Sequence, residues 1–418
     1  MCDAIAGQLL VCFHEADPVG AELIETINEG RISHVSVIED LGRRLSRIEL
    51  PMRKGLKFKF YKLKVPTGQE SFKVNDLQFF YKHAMLDALA KRRLDPLILR
   101  DYRFQVVPHS ILSIRSVGAS ASGVGFTFTH THDDYKNVIG WKVSTTTSQR
   151  KRILVLDTGL DSAVACTVVD KKNFVDDTKP SDITDDHGHG TAVVSVINDL
   201  CSSTDFVIYK VADASGRASE WDTLAAVAAD SNADLVNISL AFGLPDRVCS
   251  VCGRESHSSR SAVFENMLDQ LANATDGPLL IAAAGNDALQ ELSYPARFDN
   301  VLGIESVNLA KGLSEFSNRA AVDHEGNTHP NVFVLPGGEK PLKSTPTEYI
   351  GTSSAGAQYY GTSFSAAYAS GIIAALWLQP SHNTKDRSQL LDHLRKNADK
   401  SLPNYNYSTH GNGMIQFK

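Results

Sequence analysis

The sequence predicts an α/β protein: a mostly parallel sheet flanked by helices, preceded by a small α+β N-terminal domain. Three observations predict it. From residue 151 onward, short β-branched runs alternate with stretches of helical spacing, the pattern of a parallel sheet covered on both faces by helices. Residues 1–115 show no such regular alternation. The charge also changes sign: residues 1–150 hold 21 Lys and Arg against 16 Asp and Glu, the rest 21 against 32, within a net charge of −6 over 418 residues. Opposite charges on two parts of one chain suit docking of one on the other, or an anionic ligand on the first. The expected organisation is an N-terminal domain over 1–115, a linker over 116–150 and a larger domain over 151–418.

In the first part "GQLLVCFH" (7–14) and "GAELIETINEG" (20–30) come first, and "HVSVIEDLGRRLSRIEL" (34–50) is strand-like. "RKGLKFKFYKLKV" (53–65) alternates lysine with apolar residues at period two, as an exposed or edge strand does. Its lysines block edge-to-edge pairing, dock on the acidic part, or meet a nucleotide or nucleic acid. A helix follows with Phe79, Leu86, Leu89 and Ala90 on one face. "SVGASASGVGFTFTHTHDD" (116–134) and "STTTSQRKR" (144–152) are small and polar, as linkers are.

In the second part, strands are expected at 152–157, 205–211, 234–240, 278–285 and 300–308. Helices are expected at 190–200, 219–233 with Ser219 as its cap, 261–274, 362–378 and 386–397. In such sheets ligands sit at the carboxyl ends of the strands. Three polar residues fall at such ends or at helix starts: Asp157 after "ILVL", His189 in "DDHGHGT" and Ser363 in "GTS". Singly, each is the kind of residue that caps a helix or turn. Together they meet a chemical need, because a serine hydroxyl becomes a nucleophile only when a base takes its proton. A histidine base works best when a carboxylate holds its tautomer. "AAAGND" places the Asn286 amide beyond a strand of small residues, where it suits an oxyanion.

"LDTGLD", "GHGT", "NISLAFG", "AAAGND" and "GTSFSAAYASG", in that order, resemble the motifs of the subtilisin-like serine proteases over roughly residues 150–418. The resemblance implies a subtilisin-like fold and a serine endopeptidase acting on protein or peptide substrates. In it Ser363 is the nucleophile, His189 the base and then acid, and Asp157 its orienting carboxylate. Asn286 and the Ser363 amide bind the oxyanion. Ser239, Leu240, Gly243, Ala284, Gly285 and Ser293 line the substrate strand and first pocket, and "GNGMIQ" forms a short closing strand. The chain departs from the family at Ala367, where a proline is usual, which implies a slightly altered helix start. The segment after His189 is too short for a calcium loop. No cofactor or metal is expected.

Asp287 and Glu291 form an acidic rim that favours a basic or polar residue before the scissile bond, or simply face water. His187 reads as loop surface. Cys249, Cys252 and His257 offer three zinc ligands where a structural site needs four, and "THTHDD" (129–134) sits in a linker context. The acidic N-terminus and the lack of 18 uninterrupted apolar residues predict a cytoplasmic protein with free thiols and no membrane span. A cytoplasmic protease needs restraint. The N-terminal domain, docked on the catalytic domain, is expected to supply it as a zymogen. Release is by autoprocessing within "GASASGVG" (118–125) or "STTTSQRKR", or by an activating ligand or protein partner. The competing function is a catalytically idle subtilisin fold that binds or scaffolds. Acid-active relatives with a carboxylate base are disfavoured by His189 and Asn286.

Overall fold

The computed structural model describes residues 4–90, 104–114, 117–119, 132–142, 148–229, 231–242, 260–319, 321–322, 326, 328–340, 348–352, 358–379 and 387–417. It divides into two compact units: Ser113–Ala218, Ser231–Ala241 and Ala272–Lys418 form the larger, and Met1–Leu112, Ser219–Asp230 and Phe242–Leu271 the smaller.

The larger unit is built on seven parallel strands. In space they run Val332–Pro336, Val301–Val307, Leu279–Ala283, Leu235–Ile238, Lys151–Asp157, Thr204–Lys210, Thr167–Asn173. Five of these match the sequence expectation; the two outermost do not. Thr167–Asn173 is polar and mostly exposed, because a strand at the sheet's edge needs no two-sided apolar character. Val332–Pro336 is apolar and buried, but it ends in proline, which a strand interior resists.

Helix Thr362–Trp377 is buried along all 16 residues, as its all-round run of Ala, Gly, Ser, Ile and Leu requires. It is uninterrupted despite Ala367. A Cβ at Gly371 would stand 2.7 Å from Leu200 Cβ, so glycine there lets this helix lie close against His189–Leu200. The two helices whose first turns carry Ser363 and His189 are thus locked to each other through the same core. "GNGMIQ" forms no strand; Met414 makes single bridges to Val334 and Asp399.

Part of the expected linker is structural. Helix His132–Val138 contributes Tyr135, and Ile139 follows it, both fully buried in the large core four residues apart. The polar residues around them hide that pair from a composition reading.

The smaller unit holds an antiparallel sheet in the order Gln105–Ser113, Ala4–His14, Phe58–Lys64, Ser36–Asp40, backed by helices Pro18–Asn28 and Glu70–Ala90. Leu9, Val11, Phe13, Leu23, Leu63 and Leu77 form its core. Two expectations are corrected here. Residues 34–50 are a strand only over Ser36–Asp40, because the Asp40 carboxylate accepts from the Arg43 amide at 2.9 Å and starts helix Leu41–Arg47. The lysine strand is interior, paired on both sides, so its lysines do not guard an edge. Lys62 instead lies 3.6 Å from Glu39 and over the Trp221 ring. Phe79, expected inside, is 65% exposed; Val74 and Leu77 face the core instead. The side chains of Leu86, Leu89 and Ala90 lie outside the described residues.

Helix Glu220–Ala228, capped by Ser219 through the Asp222 amide, and most of Ala262–Asn273 belong to the same unit. Polar contacts knit them to the sheet. Arg44, buried, donates from Nε and Nη2 to Asp222 Oδ1 at 3.2 and 3.1 Å. Trp221 Nε1 donates to Glu39 at 2.9 Å, the Lys57 amide to Gln270 at 2.7 Å, and the Arg53 amide to the Ala228 carbonyl at 2.8 Å.

His109 Nε2 accepts from the Trp221 amide at 3.1 Å, while Nδ1 faces Gln8 Oε1 at 2.8 Å, so the ring is neutral and carries its proton on Nδ1. Burial, helped by the charge of Lys62, pushes its pKa down to about 3. A depressed histidine adds nothing above its ordinary value near 6.5. Below that value acid favours every state in which the ring is exposed, by about 1.4 kcal/mol per pH unit until pH about 3. Between pH 6.5 and 4.5 the chain is therefore expected to lose about 2–3 kcal/mol more stability than its His109→Gln variant. Urea unfolding in a Ser363→Ala background, which avoids self-digestion, measures the difference.

Candidate active site

The parallel register sets Leu156 beside Ile238 and Ile238 beside Ala282. One residue further, Asp157, Ser239 and Ala283 stand in a row at the carboxyl edge of the sheet. That edge is where open α/β sheets collect ligands.

Asp157 ends its strand and is 1% exposed. It accepts from the Thr158 amide at 2.8 Å, and His189 Nδ1 lies 2.8 and 3.0 Å from its two oxygens. A carboxylate there makes Nδ1 the donor and leaves Nε2 with the lone pair that a base needs. His189, fully buried, opens helix His189–Leu200. A Cβ on the next residue, Gly190, would stand 2.4 Å from the Gly159 carbonyl, so only glycine lets the helix start approach the Asp157 turn.

Asp185 holds that start and was not singled out by its sequence. Its Oδ1 accepts from the Gly188 amide at 2.7 Å and its Oδ2 from the Thr191 amide and hydroxyl at 2.8 and 2.6 Å. Burial raises this carboxyl, but the bonds from Thr191 and Gly188 outweigh it and hold the group below the usual carboxylate range. The signal was present as an Asp a few residues before a Thr at a helix start.

Ser363, 2% exposed, sits in the first turn of Thr362–Trp377, where unpaired backbone N–H groups gather positive potential. Its hydroxyl donates to the Ser239 carbonyl at 3.3 Å. The neighbouring Phe364 ring packs 5.4 Å from that of His189. Tyr359 packs 5.9 Å from His189 on another side and donates its hydroxyl to the His187 carbonyl at 3.0 Å. Neither aromatic was foreseen as part of the site. His187, expected on the surface, is half-buried 6.1 Å from the His189 ring, and burial followed by that neighbour lowers its pKa.

Beyond strand Leu279–Ala283, Asn286 Oδ1 accepts from both the amide and the hydroxyl of Thr362 at 2.9 Å. Two donors on the oxygen determine which way the side chain points and leave Nδ2 as a donor beside the Ser363 turn. Gly285 has φ +108°, and a Cβ on it would stand 2.4 Å from Ser293 Oγ and Asn318 Nδ2. Asn318 also receives the Asp287 and Leu289 amides at 2.9 and 3.1 Å, which ties this loop in place. Ser239, Leu240, Ala284 and Ser293 are buried around the same edge.

The acidic rim is weaker than its sequence suggests. Glu291 pairs with Arg297 at 3.0 Å, both largely buried, so its charge is matched within the loop. Gly243, Cys249, Cys252 and His257, and residues 129–131 of "THTHDD", lie outside the described residues. Among the described residues no cluster of three or more His, Cys, Asp or Glu is placed to hold a metal. Cys12, Cys166 and Cys201 are free thiols.

A parallel sheet with an Asp–His pair and a serine at a helix start, all at one edge, defines a class of serine-hydrolase architecture. Residues 116–414 match the model of the subtilase family, peptidase family S8, and the chain belongs to that family of subtilisin-like serine endopeptidases. It is 27% identical over 248 residues to the major intracellular serine protease of Bacillus subtilis (strain 168), covering 54% of this chain and 67% of that one. It is also 27% identical over 299 residues to the thermophilic serine proteinase of Bacillus sp. (strain AK1), covering 68% of this chain and 63% of that one. The chain thus spans about two thirds of the length of these relatives. In structure it is similar to a lanthipeptide protease, at 20% identity and a TM-score of 0.50, over 64% of this chain and 85% of the other. No helix among the described residues is long and apolar enough to cross a membrane.

Proposed function

We propose that the protein is a serine endopeptidase that hydrolyses peptide bonds through an acyl-enzyme on Ser363. His189 takes the hydroxyl proton through Nε2 and returns it to the departing amine. Asp157 keeps that nitrogen unprotonated in the resting state and stabilises the imidazolium that forms. Asn286 Nδ2 and the Ser363 amide receive the oxyanion. The observation that carries this reading is the sealed His189–Asp157 pair at 2.8 Å beside the helix start that bears Ser363.

Restraint by the N-terminal domain belongs to the same proposal. Its support is the opposite charge of the two parts, together with the Arg44–Asp222 pair and Lys62 over Trp221, which join the N-terminal residues to residues 221 and 222 within the smaller unit. Release follows cleavage, a ligand or a partner protein. A cytoplasmic setting suits such restraint, and one relative is named an intracellular protease.

Fluorophosphonate labelling of the full chain tests the chemistry: wild type labels, and Ser363→Ala does not. Deletion of residues 1–115 is expected to speed labelling; an unchanged rate sinks the restraint. Asn286→Ala is expected to lower kcat by about 10²–10³ with little change in KM, a magnitude that comes from subtilisin itself. A fall in KM-dependent binding alone would remove Asn286 from the oxyanion role.

A further inference from the structure

The positive charge of the N-terminal part is concentrated in one stretch of the smaller unit. Residues 41–64 hold nine Lys and Arg against one Glu, whereas residues 1–40 hold one Arg against eight Asp and Glu. Two of the nine turn inward, Arg44 to Asp222 and Lys62 to Glu39 and Trp221, and Arg47 also pairs with Glu39. Lys54, Lys57, Lys59 and Lys64 are exposed, and among the described residues no ion pair engages them. Because Phe58–Lys64 is paired on both sides, these charges do not keep a free sheet edge from pairing. Like charges held close together repel, and an anion that neutralises them is drawn in.

Some of these lysines share a face with an aromatic ring. Side chains alternate along a strand, so Lys59 and Tyr61 stand on one face about 6.8 Å apart. Lys57, whose carbonyl accepts from the Glu15 amide at 2.7 Å, continues that alternation one step before the strand. Tyr61 is half-buried, its ring lying flat against Phe13 at 5.6 Å and 11°. Across the ladder Tyr61 faces Asp40, which holds the well-exposed Arg43 at 3.1 Å. Cations thus stand on both sides of the ring, Lys57 and Lys59 on one and Arg43 on the other, with Lys54 in the turn that leads to the strand. The exposed Glu15, opposite Lys57, offsets one of these charges.

We propose that this face binds single-stranded nucleic acid, with Arg43, Lys54, Lys57 and Lys59 on phosphates and Tyr61 against a base. The interleaved ring favours nucleic acid over an acidic polypeptide, because every base has a flat face that stacks on an aromatic side chain and a carboxylate has none. A single strand fits better than a duplex, whose bases are already stacked on one another. Binding there places the peptidase on nucleic acid, a property beyond the hydrolytic reading and independent of whether Ser363 is the nucleophile.

The test uses the full-length chain with Ser363→Ala and a fluorescein-labelled oligothymidylate, read by anisotropy across a salt series. Phosphate contacts from these cations are expected to give a dissociation constant of about 10⁻⁶–10⁻⁴ M near physiological salt and a log–log salt slope of about −3. Lys57→Glu combined with Lys59→Glu is expected to weaken binding at least about tenfold and bring the slope to about −1.5; the paired Gln changes, which add no negative charge, act in the same direction by less. The same charge reversal at Lys171 and Lys172, on the edge strand of the larger unit, is expected to leave binding as it was. An abasic strand of equal length is expected to bind at least about fivefold more weakly. No binding at low salt, an equal loss from both pairs of lysines, or an abasic strand that binds as tightly each overturns the inference. So does a Lys57 and Lys59 double variant that binds normally but, in the active chain, labels faster with fluorophosphonate, which assigns these lysines to the acidic part of the same chain. Loss of labelling in the active chain, with binding intact, removes the triad reading and leaves the nucleic-acid site standing.

Discussion

Ser363→Ala is expected to lower peptide hydrolysis by about 10⁶-fold, the size of loss measured for the corresponding change in subtilisin itself. The hydroxyl has no substitute here: Thr362, the nearest other hydroxyl in the turn, already donates to Asn286. The residual rate reflects the oxyanion donors and substrate binding alone, which retain about 10³–10⁴ over water. The fold is expected to stay intact. The serine hydroxyl's bond to the Ser239 carbonyl is long, at 3.3 Å, and alanine fits the same buried helix turn without strain. Its unfolding midpoint in urea, measured beside that of wild type blocked by fluorophosphonate, separates lost chemistry from lost structure. If the purified variant hydrolyses peptide at more than a trace of the wild-type rate, Ser363 is not the nucleophile.

Asp157→Asn is expected to lower kcat by about 10⁴-fold while leaving KM nearly unchanged. The substitution keeps the shape but adds donors where His189 Nδ1 now finds only acceptors. The imidazole then presents its Nδ1 lone pair to the amide and carries its proton on Nε2, where a base must have none. The Thr158 amide, which donates to Asp157 Oδ1 at 2.8 Å, keeps the amide oxygen at that position and puts Nδ2 at the other, which lies 3.0 Å from the ring nitrogen. A variant with near-normal kcat would mean that some other group orients His189. Nitrogen chemical shifts of the His189 ring would show the tautomer exchange directly, a readout that a merely structural role for Asp157 would not move.

Much of the larger unit is legible because its elements are both long and locally consistent. "RILVLD" and "PLLIAAAG" can only be buried strands. The apolar run after Ser363 is hydrophobic all round and has to be a central helix. The site residues are legible for a different reason: each occupies a strand end or helix start, and such positions are marked by glycines whose absence of a side chain the geometry requires, as at Gly190 and Gly285. The edge strand Thr167–Asn173 escapes notice because an edge needs no apolar pattern. Helix His132–Val138 escapes because only Tyr135, Val138 and, just past its end, Ile139 are apolar.

The lysine strand shows where periodicity stops short. Alternation establishes that Phe58–Lys64 is a strand with a polar face, but an edge and an interior position share that pattern. What lies on the polar face, Glu39 and Trp221, comes from residues 182 apart from each other in the chain. Asp185, Tyr359, Thr362 and Asn318 are of the same kind. They act on His189, Asn286 and Gly285 through contacts set by how loops cross, and no short-range spacing encodes a crossing.

By itself, then, the sequence determined the parallel α/β layout of residues 151–418, the three polar residues and the asparagine at its strand and helix ends, and the opposed charges of the two parts. Those are local properties: burial periodicity, helix-start chemistry and composition. Only the tertiary structure decided that Asp185 and Thr362 orient the site, that the lysine strand is interior, and that Val117–Ala119 pairs with Gln358–Tyr360. Each of these depends on backbone groups far apart in sequence finding one another. A free amide or carbonyl carries no mark of the partner it will meet until the sheet and its helices have packed.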